Sequence, residues 1–278
     1  MLATLRLLLP MLLAIAAVVA LDHAAARRGR QLPGLELGGA PGWPARRAVA
    51  LGALAVALYL GVFAPVAAIG FEPAIDLDQV SVVHLFVLHA IFVVALILYF
   101  GAGLWRARGV GRAARWSEEL GLETRAPARE IGIGLAAGAL GWVAVIALLS
   151  VLAGVVVALG GERVLPSEPP PTIVFVAGLP WGLRLGLALS AGLVEEAFFR
   201  GLLQPRIGIL ASSVLFILAH VSYGQPFLLV GVTVLSFGLA ALTRWRETIW
   251  PAVIAHTLFD AIQLLVIIPL ALRVLETG

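Results

Sequence analysis

The chain has 278 residues, 61% of them apolar and only 13% charged, and its mean hydropathy of +1.04 lies well outside the range of soluble domains. It contains no cysteine, which excludes disulfides, cysteine zinc sites and thiol nucleophiles. The formal net charge is +3, every basic residue is arginine, and no basic stretch interleaved with aromatics points to a nucleic acid. The arginines read instead as loop residues of a multi-pass membrane protein.

At roughly 20 residues per span, the length accommodates about eight helices and no separate soluble domain. The expected fold is therefore all-α, a polytopic helical bundle embedded in the bilayer. The first apolar run, residues 7–21, imitates a signal peptide, because Ala24, Ala25 and Ala26 resemble a cleavage site. Its charge is on the wrong side. Arg27, Arg28 and Arg30 follow the run and only Arg6 precedes it, so a retained helix with a cytoplasmic C-terminal end is the better reading. Further spans are expected at residues 48–70, 81–105 and 131–160, the last long enough to tilt or protrude.

The connections give the orientation. Arg46 and Arg47 continue the first basic loop, and Arg106, Arg108, Arg112, Arg115, Arg125 and Arg129 form another. Between them, residues 71–80 carry Glu72, Asp76 and Asp78 without an arginine. The basic loops are cytoplasmic by the positive-inside rule. Residues 161–172, with Pro166 and Pro169 to Pro171, form an external connection too rich in proline to continue a helix.

This loop divides the chain into an N-terminal membrane region, 1–172, and a C-terminal region, 173–278. Residues 173–181 are apolar but broken by Gly178 and Pro180, too short to span, and read as a re-entrant or interfacial lid. Four more spans follow, at 183–203, 207–221, 226–242 and 251–272. Arg184 reads as an anchor that snorkels outward. No period of 20 to 50 residues repeats.

Chemistry concentrates in the C-terminal region. Glu195 and Glu196 stand in the apolar run SAGLVEEAFFRGLL, where carboxylates cost several kcal/mol each unless paired or facing a wet cavity. Residues four apart share a helix face, so Glu196 can pair with Arg200, while Glu195 is rotated away by about 100°. Glu196 then organises the site and Glu195 acts on water. His220 closes FILAH one turn after Phe216, and His256 opens HTLFD one turn before Asp260. One imidazole would share activation of the water with Glu195 and the other would help to hold an oxyanion, with Asp260 orienting His256 or receiving a hydrogen bond from the cavity. Alternatively, His220, His256 and Glu195 would ligate a catalytic zinc, although the helical motif HExxH is absent.

Blander readings apply to other polar residues. His84 and His89 have no acidic companion in their own run and read as packing or interfacial residues. Ser190, Ser212 and Ser213 lack a GxSxG frame and are expected to bond back to their own helices. Arg206, Arg244 and Arg246 place Glu195 and His256 toward the cytoplasmic half, yet counting inward from Ile207 puts His220 deeper. The intervening helix must then be short, tilted or set inward.

The order EExxxR, FxxxH, HxxxD, each on its own apolar helix, resembles the CAAX prenyl endopeptidase and bacteriocin-processing family of intramembrane proteases, also called the Abi or type II CAAX protease group. The matching positions are Glu195, Glu196, Arg200, Phe216, His220, His256 and Asp260, and the resemblance covers roughly residues 181–272. It implies an active site in a cavity among the C-terminal helices, where Glu195 and His220 activate water and His256 stabilises the oxyanion.

No cofactor is then needed, zinc being the alternative. The substrate is a membrane-associated peptide or C-terminal protein tail, met within the bilayer and not involving nucleic acid. In the family the last motif often ends in Asn. Asp260 stands here, and an ionised acid cannot donate to an oxyanion. The use of Ala, Arg and Gly suits a bacterial plasma membrane. The main rival is a proton-coupled carrier or membrane scaffold built on the same Glu, Arg and His cluster.

Overall fold

The computed structural model describes residues 2–30, 43–68, 82–107, 116–161, 165, 171–221 and 225–277, and its elements are helices. Helix α1 spans Leu2–Arg27. Helix α2 (Trp43–Leu58) runs through a π-helical turn at Tyr59–Phe63 into α3 (Ala64–Ala67). Next come α4 (Val82–Ala107), the short α5 (Trp116–Glu119) and α6 (Pro127–Ala158). In the C-terminal region α7 (Pro171–Ala177) precedes α8 (Trp181–Ser190), which widens into a π-helical segment at Ala191–Leu203 and leads to α9 (Gln204–Ala219). Helices α10 (Pro226–Arg246) and α11 (Trp250–Ile262) follow, and a π-helical turn at Gln263–Ile267 joins α11 to α12 (Ile268–Thr277). The acidic connection 71–80 and most of the proline-rich connection 161–172 lie outside the described residues, as do the side chains of His84 and of Arg106 to Arg115.

Among the described residues six stretches are long and apolar enough to cross a membrane, and Phe86–Phe100 is a shorter apolar one. Trp181–Ala219 counts as a single stretch, but it is folded back on itself at Gly208, where φ is 89° and ψ 170°. The fold-back makes two rods of it and, with α4, brings the number to about eight. Large apolar side chains such as Leu140, Val151 and Leu210 are exposed on the outside of the bundle. That inverted surface belongs to a protein whose solvent is lipid.

The reversal at Gly208 also reconciles the depths of the motif residues. Glu195 lies 13 residues before it and His220 12 residues after it. The two residues are thus nearly the same number of positions from the turn, which brings them to one level of the bundle. Side chains 25 positions apart in sequence can then meet. A φ of 89° with extended ψ is essentially a glycine conformation. Ser212 secures the turn by donating to the Gly208 carbonyl at 2.9 Å, bonding to its own helix as expected of a membrane serine.

The Ala191–Leu203 segment is the centre of the bundle, packed by α4, α9 and α11. Helix α11 also lies along α6, where Gly134 and Gly138 admit Ile254 and the backbone of Ala255; a Cβ on either glycine would stand within 3.0 Å of them. Aromatic rings fill the middle. Phe92 of α4 stacks on Phe198 at 4.3 Å and 7°, and Phe199 meets Phe216 edge-on at 5.1 Å.

At the end of the bundle where α5 lies, fully buried Arg206 donates to the Tyr99 hydroxyl, the Leu202 carbonyl and Glu119. Arg246 grips Glu130 with two hydrogen bonds of 3.0 and 2.6 Å. Arg184 departs from the outward snorkelling expected of it. It is half-buried and donates to the Leu264 carbonyl at 3.0 Å, an acceptor in the π-helical turn Gln263–Ile267.

Candidate active site

Two adjacent carboxylates begin the site, and the helix that carries them separates their surroundings. Glu196 is sealed, with no accessible side-chain surface. Its Oε2 forms an ion pair with Arg200 Nε at 3.3 Å, one turn on, without the alignment of a hydrogen bond. Its Oε1 accepts from His256 Nδ1 at 3.0 Å. Arg200 donates to the Ser236 carbonyl at 3.1 Å and the Ser236 hydroxyl at 3.3 Å, and its guanidinium lies 4.6 Å from the centre of the Phe216 ring. An arginine and a histidine N–H thus offset the charge of the second glutamate where no water can.

Glu195 is the accessible member of the pair, with 13% of its side chain exposed. Its Oε2 is 3.7 Å from His220 Nε2 and has no hydrogen-bond partner among the described residues. His220 is held in one tautomer from behind. Nδ1 lies 2.8 Å from the Phe216 carbonyl, which can only accept, so Nδ1 carries a proton and Nε2 is the nitrogen turned toward Glu195. The ring also stacks on Phe216, at 4.5 Å and 26°. Phe216 therefore fixes His220 by face and by carbonyl, and it touches His256 edge-on at 5.8 Å. It is the hub that joins the two halves of the site.

His256 is nearly buried, and each of its ring nitrogens faces a carboxylate: Nδ1 faces Glu196, and Nε2 faces Asp260 Oδ2 at 3.5 Å. Asp260 keeps 27% of its side chain exposed. Glu195, His220 and Asp260 thus form an accessible layer over a closed layer of Glu196, Arg200 and His256. The closed layer depends on a tight approach of α11 to the Ala191–Leu203 segment. A Cβ on Gly192 would collide with the Thr257 hydroxyl and stand 2.9 Å from the Thr257 nitrogen and the Val253 carbonyl.

The donor set for zinc does not assemble. Both nitrogens of His256 are directed at carboxylates other than Glu195, and no group of three or more ligating side chains able to hold a metal occurs among the described residues.

One site residue escapes the sequence reading. His89, taken there as a packing residue, places Nε2 3.3 Å from Glu195 Oε1 and Nδ1 2.9 Å from the Ser190 hydroxyl. Its acidic partner is 106 positions away, so no spacing within its own helix could reveal it. The available signal was weaker: a histidine near the middle of an apolar span needs a polar partner from some other helix.

A family model of type II CAAX prenyl endopeptidases, Rce1-like, matches residues 177–262. The matched stretch contains Glu195, Glu196, Arg200, Phe216, His220, His256 and Asp260, whereas His89 lies outside it. Over 77 residues the chain is 35% identical to Uncharacterized protein YpbD of Bacillus subtilis (strain 168), in an alignment covering 27% of this chain and 41% of that protein. The chain thus spans about two-fifths of the length of this curated relative. No solved structure matches the chain.

Proposed function

We propose that this protein is an intramembrane endopeptidase that hydrolyses a peptide bond, near the membrane, of a peptide or C-terminal protein tail. The observation that carries the proposal is the approach of Glu195 Oε2 to His220 Nε2, 3.7 Å apart. At that separation the two groups are not hydrogen-bonded to each other, and because Oε2 is closed to solvent, the attacking water enters between them with the substrate. Glu195 Oε2 takes the proton as the water oxygen bonds to the carbonyl carbon. His256 supplies an N–H to the resulting oxyanion, and Asp260 orients the ring. As the C–N bond breaks, the proton on Glu195 passes to the leaving amine. Glu196 and Arg200 hold His256 without entering the reaction.

The Rce1-like match favours a substrate class of prenylated C-terminal CAAX tails over unmodified peptides, and the arginine-rich composition together with the Bacillus relative favours a bacterial plasma membrane. The test uses purified protein in liposomes with two quenched fluorescent peptides, one ending in a prenylated CAAX sequence and the other in the same sequence without the prenyl group. Wild type should cleave the prenylated peptide, and Glu195→Gln or His220→Ala should lower kcat roughly 10²–10⁴-fold while the protein still inserts. Cleavage by Glu195→Gln at the wild-type rate would refute the assignment. Proton uptake into the liposomes that depends on Glu195, without cleavage of either peptide by wild type, would establish the carrier reading instead.

A further inference from the structure

We infer that His89 of α4 is a positioning residue of the active site, holding Oε1 of Glu195 so that Oε2 is the oxygen turned toward His220. The inference rests on the endopeptidase reading for its consequence, but its geometry stands apart from it. His89 Nε2 is 3.3 Å from Oε1, whereas Oε2 has no partner among the described residues. The two oxygens are thereby made unequal.

Proton bookkeeping gives the direction of the bond. The Ser190 hydroxyl has one proton, and the Leu187 carbonyl stands 3.0 Å from its oxygen as an alternative acceptor to His89 Nδ1. If Ser190 donates to Leu187, Nδ1–H donates to Ser190, and Nε2 can donate to Oε1 only when the ring carries a second proton. If Ser190 donates to Nδ1, the ring carries its proton on Nε2 and donates it to Oε1. With Glu195 ionised, the 3.3 Å contact is therefore a hydrogen bond in which Nε2 is the donor. The π-helical geometry makes the double contact possible. Ser190 and Glu195 are five positions apart, about one π turn, and so both face α4, which they would not do on an α-helix.

The contact is one rung of a continuous register. His89 meets Glu195 across 106 positions, Phe92 stacks on Phe198 three residues further along both helices, and Tyr99 meets Arg206 across 107. Three rungs at nearly constant offset define two parallel helices packed in step. Below His89 the stack of Phe92 fixes the axial position of α4, and Ser190 fixes the ring above it. The N-terminal half therefore contributes a side chain to a site whose other members all lie within residues 177–262.

The experiment measures kcat and KM for the quenched peptides with His89→Gln, whose amide retains an N–H donor, and His89→Leu, which has none. His89→Leu should lower kcat roughly 10- to 100-fold at a KM within about twofold of wild type, and His89→Gln should recover most of the loss. Full kcat in His89→Leu overturns the inference, and so does equal impairment of both variants, which would mean a packing role. A second readout does not require turnover. With 13C-labelled glutamate, the infrared carboxylate band that disappears in Glu195→Gln should shift between wild type and His89→Leu, and a band that stays in place overturns the inference even in protein that cleaves nothing. If Glu195→Gln cleaves normally while the band shifts, the endopeptidase assignment fails and the His89–Glu195 bond stands.

Discussion

Replacing Arg200 by methionine removes the guanidinium and leaves Glu196 as a carboxylate with no accessible surface and one remaining partner, His256. Stranding one member of a buried pair typically costs about 3–5 kcal/mol. The Ser236 carbonyl and hydroxyl lose a charged donor as well, which adds about 1–3 kcal/mol if no water replaces it. Most of the first cost comes from the uncompensated charge and not from the contact, so it should vanish when Glu196 is made neutral. The double variant Glu196→Gln/Arg200→Met should therefore be more stable than the sum of the two single variants by about 2–3 kcal/mol.

Equilibrium unfolding in mixed micelles, followed by tryptophan fluorescence, measures all four corners of that cycle. Cleavage should recover less than stability does, because His256 Nδ1 would then donate to a neutral amide in place of a carboxylate, a bond roughly half as strong. Single-variant costs that add to the double-variant cost within about 0.5 kcal/mol would refute the reasoning, since they would mean that Arg200 and Glu196 do not compensate each other.

Other positions give sharp expectations. Gly208→Ala forces an L-residue into φ 89° with extended ψ, so it should destabilise the protein by about 1–3 kcal/mol and lower kcat by moving His220 away from Glu195, as read by unfolding and by the peptide assay. Gly192→Val should separate α11 from the Ala191–Leu203 segment at Thr257 and Val253, costing about 1–3 kcal/mol or more and reducing cleavage, whereas Gly52→Ala, with nothing within 4 Å of the added Cβ, should leave both unchanged. Arg246→Leu leaves Glu130 without its two charged hydrogen bonds, and the loss of stability should be relieved by Glu130→Gln in the same chain.

The residues legible in the sequence are those whose partners lie one turn away. Glu196 and Arg200, Phe216 and His220, and His256 and Asp260 are each four apart, and each pair is in contact in the fold. Spacing could not show which pairs would meet one another. Glu196 turned out to hold His256 across 60 positions, and Phe216 to touch both histidines, because those contacts depend on how three helices pack around Ala191–Leu203. The π-helical widening was also hidden, since nothing in the hydrophobic period marks a change from i→i+4 to i→i+5 bonding. Arg206 was legible as a helix-end marker but not as a buried hub, because its acceptors Tyr99 and Glu119 come from two other elements.

The depth conflict carried more information than it first offered. Treating 183–203 and 207–221 as two independent spans placed Glu195 and His220 at different levels, yet the sequence also put a glycine midway between the two residues. A fold-back at that glycine sets nearly equal path lengths on either side, so Glu195 and His220 arrive at one level. The same arithmetic applies between α4 and α8. His89 stands seven residues into α4, and Glu195 fourteen residues beyond the start of α8, so their meeting requires α8 to begin about two turns, or ~10 Å, ahead of the start of α4. Trp181, at that projecting start, is exposed. The level of the site is thus set by where the helices start and turn.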